Sequence, residues 1–125
     1  MKTVPGPADW FTGTVSMQSI AAQSAPGRTR ATMVYFTPGA RTAWHTHPHG
    51  QILHILHGRA RVCSAGGEVT DLGPGTTVCF AASEEHWHGA CPDQPMVHMA
   101  IQEADDTGST TDWGRQVSDR EYAGD

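Results

Sequence analysis

Two histidine pairs offer most of the chemistry that this sequence could perform. The segments HTHPHGQ and EEHWHGA each hold two histidines separated by a single residue, His45 with His47 and His86 with His88. Side chains at positions i and i+2 of a β-strand point to the same side. Each pair is therefore predicted to place two imidazoles next to each other, and imidazole is a common ligand of divalent metal ions.

The two pairs lie far apart in the sequence and can share one ion only if their strands are neighbours in a closed sheet. A proline and a glycine interrupt the first strand, after which Gln51 can return to the same centre. For any single histidine, an exposed or hydrogen-bonded position is the alternative, but two such pairs on separate strands favour a metal site. His49 is expected at the mouth of the cavity, and His54 and His57 are expected at the surface or in ordinary hydrogen bonds.

Short β-strands must position these side chains. Fourteen glycines and eight prolines are spread along the chain, which indicates many turns and little helix. Stretches rich in β-branched or aromatic residues predict strands at 29–36, 42–47, 51–56, 60–65, 76–81 and 96–103. Residues typical of turns separate them at 37–40, 57–58, 65–68, 71–75 and 91–95. Strands at this spacing predict an all-β sandwich or barrel.

Three local patterns add detail to this prediction. The paired glycines of AGGE (65–68) favour a tight hairpin turn. VSDREY (117–122) predicts one helical turn that begins at Ser118 or Asp119. DWF (9–11) is apolar within a polar stretch, so it is expected either to pack on the barrel or to cover a subunit contact.

Composition excludes several classes of protein. The 125 residues provide for one hydrophobic core, so a single domain over 1–125 is expected. A net charge of −5 with scattered Lys and Arg argues against nucleic acid or a membrane surface as a partner. No apolar stretch approaches the length of a membrane span. Three widely separated cysteines without C-x-x-C spacing are typical of a reducing compartment, so a cytoplasmic protein with a small-molecule substrate is expected.

The spacing around the first histidine pair resembles the first cupin motif. Five residues separate Gly39 from the H-x-H pair, three more separate the pair from Gln51, and a further six lead to Gly58. That motif usually has an acidic residue where Gln51 stands. Downstream, Gly75 and His86 have the spacing of the second cupin motif.

The second motif has three departures from its usual residues. Ala81, Ser83 and Ala90 stand where proline, glycine and asparagine are usual. These changes affect the turn before His86 and leave the histidine itself in place.

Nearly the whole chain is similar to a narrower group of small bacterial cupins, which includes manganese-dependent hydroxynitrile lyases. The resemblance lies in the segments GPADWFTGTV, PGARTAWHTHP, EEHWHGA, HMAIQE and DWGRQVSDREY. This group also has glutamine at the position of Gln51. The resemblance implies a double-stranded β-helix (jelly-roll) barrel, a bound Mn²⁺ or Fe²⁺, and a homodimer or homotetramer. It also implies metal ligands at His45, His47, Gln51 and His86, with His88 and His98 facing the cavity.

The strand predicted at 96–103 indicates two further side chains of the pocket. Its larger residues form one apolar face, and the other face carries His98 and Gln102. If the apolar face packs between sheets or subunits, His98 and Gln102 face the pocket. The alternative is that His98 is a core residue bonded to Gln102.

The other predicted roles follow from position near the ligands. His88 shares a face with His86 but is expected to lie too far along the strand to bind the same ion. A neutral imidazole near a divalent ion has a lowered pKa, which suits His88 or His98 as a general base. The remaining predicted pocket residues are Val34, Thr42 and Trp44.

An uncharged ligand at Gln51 favours Lewis-acid chemistry. Three imidazoles and a carboxylate would leave a divalent site with a net charge of about +1, whereas Gln51 keeps it near +2. Such a centre attracts anionic oxygen or cyanide and resists oxidation to the trivalent state. The donor set suits Mn²⁺, Fe²⁺ or Zn²⁺.

The leading hypothesis is therefore a metal-dependent lyase. It would cleave or form a C–C bond next to a hydroxyl group, as in a cyanohydrin or an aldol, with a histidine as the base. The alternatives are an Fe²⁺-dependent dioxygenase, a small-molecule isomerase or cyclase, and a non-catalytic cupin that binds a small ligand.

Overall fold

Antiparallel β-strands make up most of this protein. The structure is a computed structural model that describes residues 2–125. Its strands are β1 Thr3–Pro5, β2 Phe11–Thr12, β3 Val15–Ala22, β4 Thr29–Phe36, β5 Arg41–Thr42, β6 His45–Thr46, β7 Gln51–Gly58, β8 Ala60–Ser64, β9 Thr70–Leu72, β10 Thr77–Phe80, β11 His86–Ala90, β12 Met96–Glu103 and β13 Asp112–Trp113. In the described chain they are followed by one short helix, α1 Asp119–Ala123. The expected all-β class is confirmed.

The strands form two sheets that curl against each other as a jelly-roll barrel. The first sheet has the order β1-β3-β4-β12-β7-β10. The second has the order β13-β6-β11-β5-β2, and β11 also pairs with β8, which in turn pairs with β9. Both β11 and β12 are therefore interior strands of their sheets. They bury His86, His88 and His98 inside the barrel.

The long strands lie where the sequence predicts them. β4 and β12 have the predicted bounds, and β7, β8 and β10 differ from prediction by at most two residues at either end. The predicted hairpin is also confirmed, since AGGE connects the antiparallel pair β8 and β9. Alternation of buried and exposed side chains is the signal that identifies such strands.

The single strand predicted at 42–47 is wrong, because it is divided into β5 and β6. The N–H of Ala43 donates to the carbonyl of Trp10 at 2.7 Å, and that of Trp44 donates to the carbonyl of Arg115 at 2.9 Å. The two terminal segments of the chain thus make the hydrogen bonds that would have continued the strand.

The local sequence pattern does not predict strand β3. Its residues VSMQSIAA include no aromatic side chain and only two β-branched ones, which is a weak strand signal. It pairs with β1 on one side and with β4 on the other. Pairing with both neighbours, and not local propensity, makes it a strand.

The helix α1 confirms the predicted C-terminal turn. The Ser118 side chain accepts from the Glu121 N–H at 3.1 Å, and the Glu121 carboxylate accepts from the Ser118 N–H at 3.0 Å. Arg41 of β5 ties the helix to the barrel by donating to the Val117 carbonyl and the Asp119 carboxylate, both at 2.8 Å. Within residues 2–125, no helix has the length and apolar character that a membrane span requires.

Gly58, at the end of β7, allows the backbone of its neighbours to approach closely. Its φ is 76°, and a Cβ on it would lie 1.8 Å from the carbonyl oxygen of Pro95. Gly66 has a similar φ of 79°, but apart from Gly66 and its two chain neighbours no atom of the described chain lies within 4 Å of a Cβ there. Alanine would therefore cause backbone strain at both positions, but steric overlap only at Gly58.

We expect Gly66→Ala to lower the free energy of unfolding by about 1–2 kcal/mol, because alanine is strained at positive φ. Gly58→Ala should lower it by about 1–3 kcal/mol more, because the added methyl group overlaps a backbone carbonyl. Urea unfolding of both variants measures the difference. Equal losses would show that Pro95 moves aside at no cost.

Candidate functional site

A cavity of about 530 Å³ lies between the two sheets. Its wall includes His45, His47, Gln51, His88 and His98. His86 is fully buried and stacks on the ring of Phe80, with ring centroids 3.7 Å apart. All the predicted ligands and both predicted bases therefore lie in or directly around one cavity.

Strand pairing places the two histidine segments side by side. His86 of β11 lies directly opposite His45 of β6, and their ring centroids are 4.3 Å apart. The ring centroid of His47 lies 4.9 Å from that of His45 and 5.3 Å from that of His86. The neighbouring strands that the metal hypothesis requires are thus present.

Backbone carbonyls determine the tautomer of these three imidazoles. Nδ1 of each ring lies 2.8 Å from a carbonyl oxygen. The acceptors are Ala43 for His45, Thr110 for His47 and Glu84 for His86. A carbonyl only accepts, so each Nδ1 donates and each Nε2 keeps a lone pair. Hydrogen bonds of this kind orient metal-binding histidines in proteins.

The side-chain amide of Gln51 directs its oxygen towards the same region. Its Nε2 donates to Oε1 of Gln102 at 3.0 Å, and its Oε1 lies 3.1 Å from Nε2 of His86. Both of the latter atoms carry lone pairs, so their contact is repulsive without a cation beside them. Two ligands bound at right angles to one ion, each about 2.1 Å from it, are about 3 Å apart. These residues therefore fit a divalent metal ion.

His88 lies closer to this centre than the sequence predicts. One ring nitrogen from each of His45, His86 and His88 lies within 4.8 Å of the other two, so these three side chains could also hold a metal ion. The expectation that His88 lies out of reach is wrong, because its ring turns towards His45, with centroids 5.1 Å apart. In the described chain, Nε2 of His88 and Nε2 of His47 are both buried without a hydrogen-bond partner. His47 and His88 are thus alternative third histidines of the centre.

His88 and His98 form a hydrogen-bonded pair. Nε2 of His98 lies 3.2 Å from Nδ1 of His88, so one ring donates and the other accepts. The two outer nitrogens are buried and have no partner within residues 2–125. One of them is an N–H and the other carries a lone pair. The expected alternative for His98, a bond to Gln102, is wrong, because Nε2 of His98 is bonded to His88 and its Nδ1 has no partner within residues 2–125.

Burial keeps all five imidazoles neutral at neutral pH. Loss of hydration is the largest cause in every case, and it lowers the pKa of His86 to about 4 and that of His98 to about 3. It also lowers the pKa of His45, His47 and His88, and for His45 and His88 the neighbouring imidazoles lower it further. The neutral ring is the form that binds a metal ion or accepts a proton.

Most of the predicted pocket residues line the cavity, namely Val34, Thr42 and Gln102. The Thr42 hydroxyl also accepts from the N–H of His88 at 3.2 Å and so supports the strand that carries that ring. The prediction that Trp44 lines the cavity is wrong, because Trp44 packs against Trp87 and Val117 in a separate apolar cluster. It immediately precedes His45, and adjacent side chains in extended backbone point to opposite sides.

The aromatic part of the cavity wall was not predicted from the sequence. Trp10 and Trp113 both line the cavity and stack with centroids 5.0 Å apart and planes at 8°. Trp113 also lies 4.8 Å from the ring of His45. Packing of DWF on the barrel, one of the two outcomes expected, is confirmed by Phe11 in the main core cluster. The apolar character of DWF was the available signal for Trp10, whereas Trp113 lies in the segment DWGRQVSDREY, whose resemblance to the small cupins implied no role for it.

The turn before His86 keeps a left-handed residue without the usual glycine. Ser83 has a φ of 64°, and its N–H donates to the carbonyl of His47 at 2.9 Å. The Glu84 carboxylate accepts from the N–H of Ala81 at 2.8 Å. These bonds hold the segment from which the Glu84 carbonyl orients His86.

The remaining histidines lie away from this centre. His49 and His57 are exposed. His54 is half-buried, and its Nδ1 lies 2.8 Å from the hydroxyl of Thr77. The surface or hydrogen-bonded positions expected for His54 and His57 are confirmed, whereas His49 is not among the described residues that line the cavity.

Comparison with known proteins agrees with this arrangement. Residues 32–101 match the cupin domain family. An (R)-mandelonitrile lyase from Granulicella tundricola is 47% identical over 117 residues, which cover 94% of this chain and 88% of that protein. A cupin-like protein from Thermotoga maritima is 34% identical in its crystal structure, with a TM-score of 0.87 over 94% of this chain and 89% of that one.

A more distant structure shares only the fold. A polyketide cyclase from Streptomyces resistomycificus is 18% identical, with a TM-score of 0.66 over 86% of this chain and 75% of that one. The family match, in contrast, spans both histidine segments and more than half of the sequence. Together with a relative that covers almost its whole length, it shows that the chain belongs to the cupin family.

Proposed function

We propose that this protein is a metal-dependent lyase of the hydroxynitrile lyase type, which cleaves or forms the C–C bond next to a hydroxyl group. One observation carries the proposal: uncharged lone-pair atoms of Gln51 and His86 meet beside the histidine pair His88 and His98. The 47% identity with an (R)-mandelonitrile lyase supports the same type of reaction here.

The metal ligands in this proposal are His45, His47, Gln51 and His86. Imidazoles with an amide oxygen suit Mn²⁺, which we favour, and also Fe²⁺ or Zn²⁺. When bound, the ion supplies Lewis acidity towards a hydroxyl or carbonyl oxygen of the substrate. Because all four side chains are neutral, they leave its positive charge unbalanced and favour an anionic oxygen at the site.

The pair of His88 and His98 moves the proton. In the cleavage direction, the outer nitrogen that carries a lone pair, on either His88 or His98, accepts the proton of the substrate hydroxyl. The C–C bond breaks as the oxygen forms a carbonyl, and the bonding electrons leave with the cyanide-like carbon. The protonated pair then returns its proton to that anion. Since burial keeps both rings neutral, the lone pair is available near pH 7.

The cavity wall orients the substrate in this proposal. The stacked rings of Trp10 and Trp113 form an apolar surface beside the ligands and exclude water from that side. A flat apolar substituent on the reacting carbon would pack against them, which directs its hydroxyl group towards His45 and His88.

We also propose that the protein is a homodimer or a homotetramer. The outer face of the first sheet is apolar, with half-buried Val97, Met99 and Ile101 beside exposed Tyr35 and Ile52. An apolar sheet face of this kind favours association with a second copy.

Metal analysis followed by a lyase assay tests the proposal. Protein purified without a chelator should contain a divalent transition metal and release benzaldehyde from mandelonitrile. Chelation should stop the release, and addition of Mn²⁺ should restore it. Oxygen uptake that requires iron, rearrangement of a substrate without cleavage, or tight binding without conversion would each replace the lyase by one of the alternative functions.

A further inference from the structure

Arg30 gives the cavity wall a positive charge. It is the one charged side chain among the lining residues in the described part of the chain, and none of those residues is Asp or Glu. The protein as a whole has 13 acidic and 8 basic residues. The charge of the cavity wall is therefore positive, whereas the net charge of the protein is negative. A positive wall favours the entry of an anion.

The sheet register places Arg30 in one row with the proposed metal ligands. Arg30 lies directly opposite Gln102 across β4 and β12, and Gln102 lies opposite Gln51 across β12 and β7. Directly opposite residues share one face of a sheet, so Arg30 is on the interior face with Gln51. Two strand spacings, about 10 Å, separate their backbones. One small molecule is long enough to contact both ends of this row.

The guanidinium of Arg30 is held in place but not neutralised. Its Nη1 donates to the carbonyls of Thr29 at 3.2 Å and Gln23 at 3.4 Å. The ion pairs of residues 2–125 use Arg28, Arg41, Arg61 and Arg115, and none involves Arg30. The Nε and Nη2 donors remain for a partner, and two parallel donors match the two oxygens of a carboxylate.

We propose that the substrate of this enzyme carries a carboxylate group, which Arg30 binds while the hydroxyl-bearing carbon lies at His45, Gln51 and His86. The proposal rests on the lyase function and specifies its substrate class. A single guanidinium matches a monoanion such as a carboxylate better than a phosphate dianion, which usually requires more donors.

Two cyanohydrins that differ by one carboxylate test the proposal. We expect 4-carboxymandelonitrile to have a higher kcat/KM than mandelonitrile with the unaltered protein. Arg30→Gln should lower kcat/KM for the carboxylated substrate about tenfold or more, the usual effect of losing a charge-assisted hydrogen bond. The same change should alter mandelonitrile cleavage by less than about twofold, because no charge on that substrate contacts Arg30. Arg30→Lys keeps the charge and should retain part of the preference.

Arg59→Gln is the matched control. Arg59 is exposed and lines no part of this cavity, so its loss changes the net charge equally and should leave the preference intact. A preference that survives Arg30→Gln, or that Arg59→Gln removes as well, overturns the assignment to Arg30. Thermal unfolding of each variant confirms that the barrel is folded.

A binding measurement separates this proposal from the lyase function. Calorimetry should show that 4-(hydroxymethyl)benzoate binds more tightly than benzyl alcohol, and that Arg30→Gln removes the difference. If the protein cleaves neither cyanohydrin but this difference is found, the lyase function fails and the carboxylate site stands. If the benzoate binds equally well to the unaltered protein and to Arg30→Gln, the carboxylate site is refuted, whatever the lyase assay shows.

Discussion

Replacing His86 with alanine is expected to remove the metal ion and the lyase activity together. Its Nε2 faces Gln51, and the ring belongs both to the ligand set His45, His47, Gln51 and His86 and to the group of His45, His86 and His88. Loss of a direct ligand should weaken metal binding by more than the 10–100-fold, roughly, that loss of an orienting outer residue causes. Elemental analysis and titration with Mn²⁺ measure this, and benzaldehyde release measures the activity.

His54→Ala is a matched control for this prediction. His54 lies on β7, the strand that begins at Gln51, but it is bonded to Thr77 outside the cavity. The variant should keep its metal and its activity. Full metal content with unchanged affinity in His86→Ala would show that His86 is not a ligand, and the proposed site would then be withdrawn.

The same assay decides between the two candidate third histidines. If His47 is a ligand and His88 a base, His47→Ala should lose the metal while His88→Ala retains it and loses turnover. The opposite pattern would assign the ligand role to His88. The prediction follows from the two unpartnered Nε2 atoms, since only the one that faces the ion is satisfied by it.

His98→Ala is expected to lower kcat by about 10²–10⁴-fold while the metal content stays the same. His98 belongs to neither candidate ligand group. The hydrogen bond between its Nε2 and Nδ1 of His88 determines which outer nitrogen of the pair carries the lone pair that accepts a proton. Without His98, the pair loses both this orientation and one of its two outer nitrogens. Steady-state kinetics with mandelonitrile, combined with elemental analysis, separates loss of the base from loss of the metal.

The double variant His88→Ala with His98→Ala gives the stricter form of this prediction. Because the two rings act as one unit, the double variant should lose little more activity than the more damaging single variant. His57→Ala removes an exposed histidine from β7 and should leave kcat unchanged. Unchanged turnover in the double variant would contradict a histidine base and leave the lyase mechanism without its proton acceptor.

Local patterns in the sequence were enough to predict an all-β sandwich or barrel and the approximate position of the site, and the resemblance to the cupins implied the jelly-roll topology. The strand-like stretches at 29–36 and 96–103 have the bounds of β4 and β12, because alternation and β-branched residues report directly on a half-buried strand. The spacing of His45 and His47 relative to Gln51 indicated a shared centre in the same way. Each of these inferences depends on residues only a few positions apart.

The errors occurred where a side chain's surroundings depend on distant parts of the chain. The predicted strand at 42–47 is divided because Ala43 and Trp44 donate to carbonyls of the two terminal segments. Trp113 reaches the ring of His45 because β13 pairs with β6, although the two strands are far apart in the sequence. No local pattern contains this information, since pairing register is a property of two segments.

By itself, the sequence determined an all-β barrel with histidine pairs on two strands and a neutral amide beside them. Only the tertiary structure decided that His88 turns towards His45 and pairs with His98, and that Gln102 orients Gln51. It also placed Arg30 in the same row as Gln102 and Gln51. The physical reason is that periodicity specifies the side of a strand to which a residue points, whereas strand pairing and sheet curvature specify what it meets there.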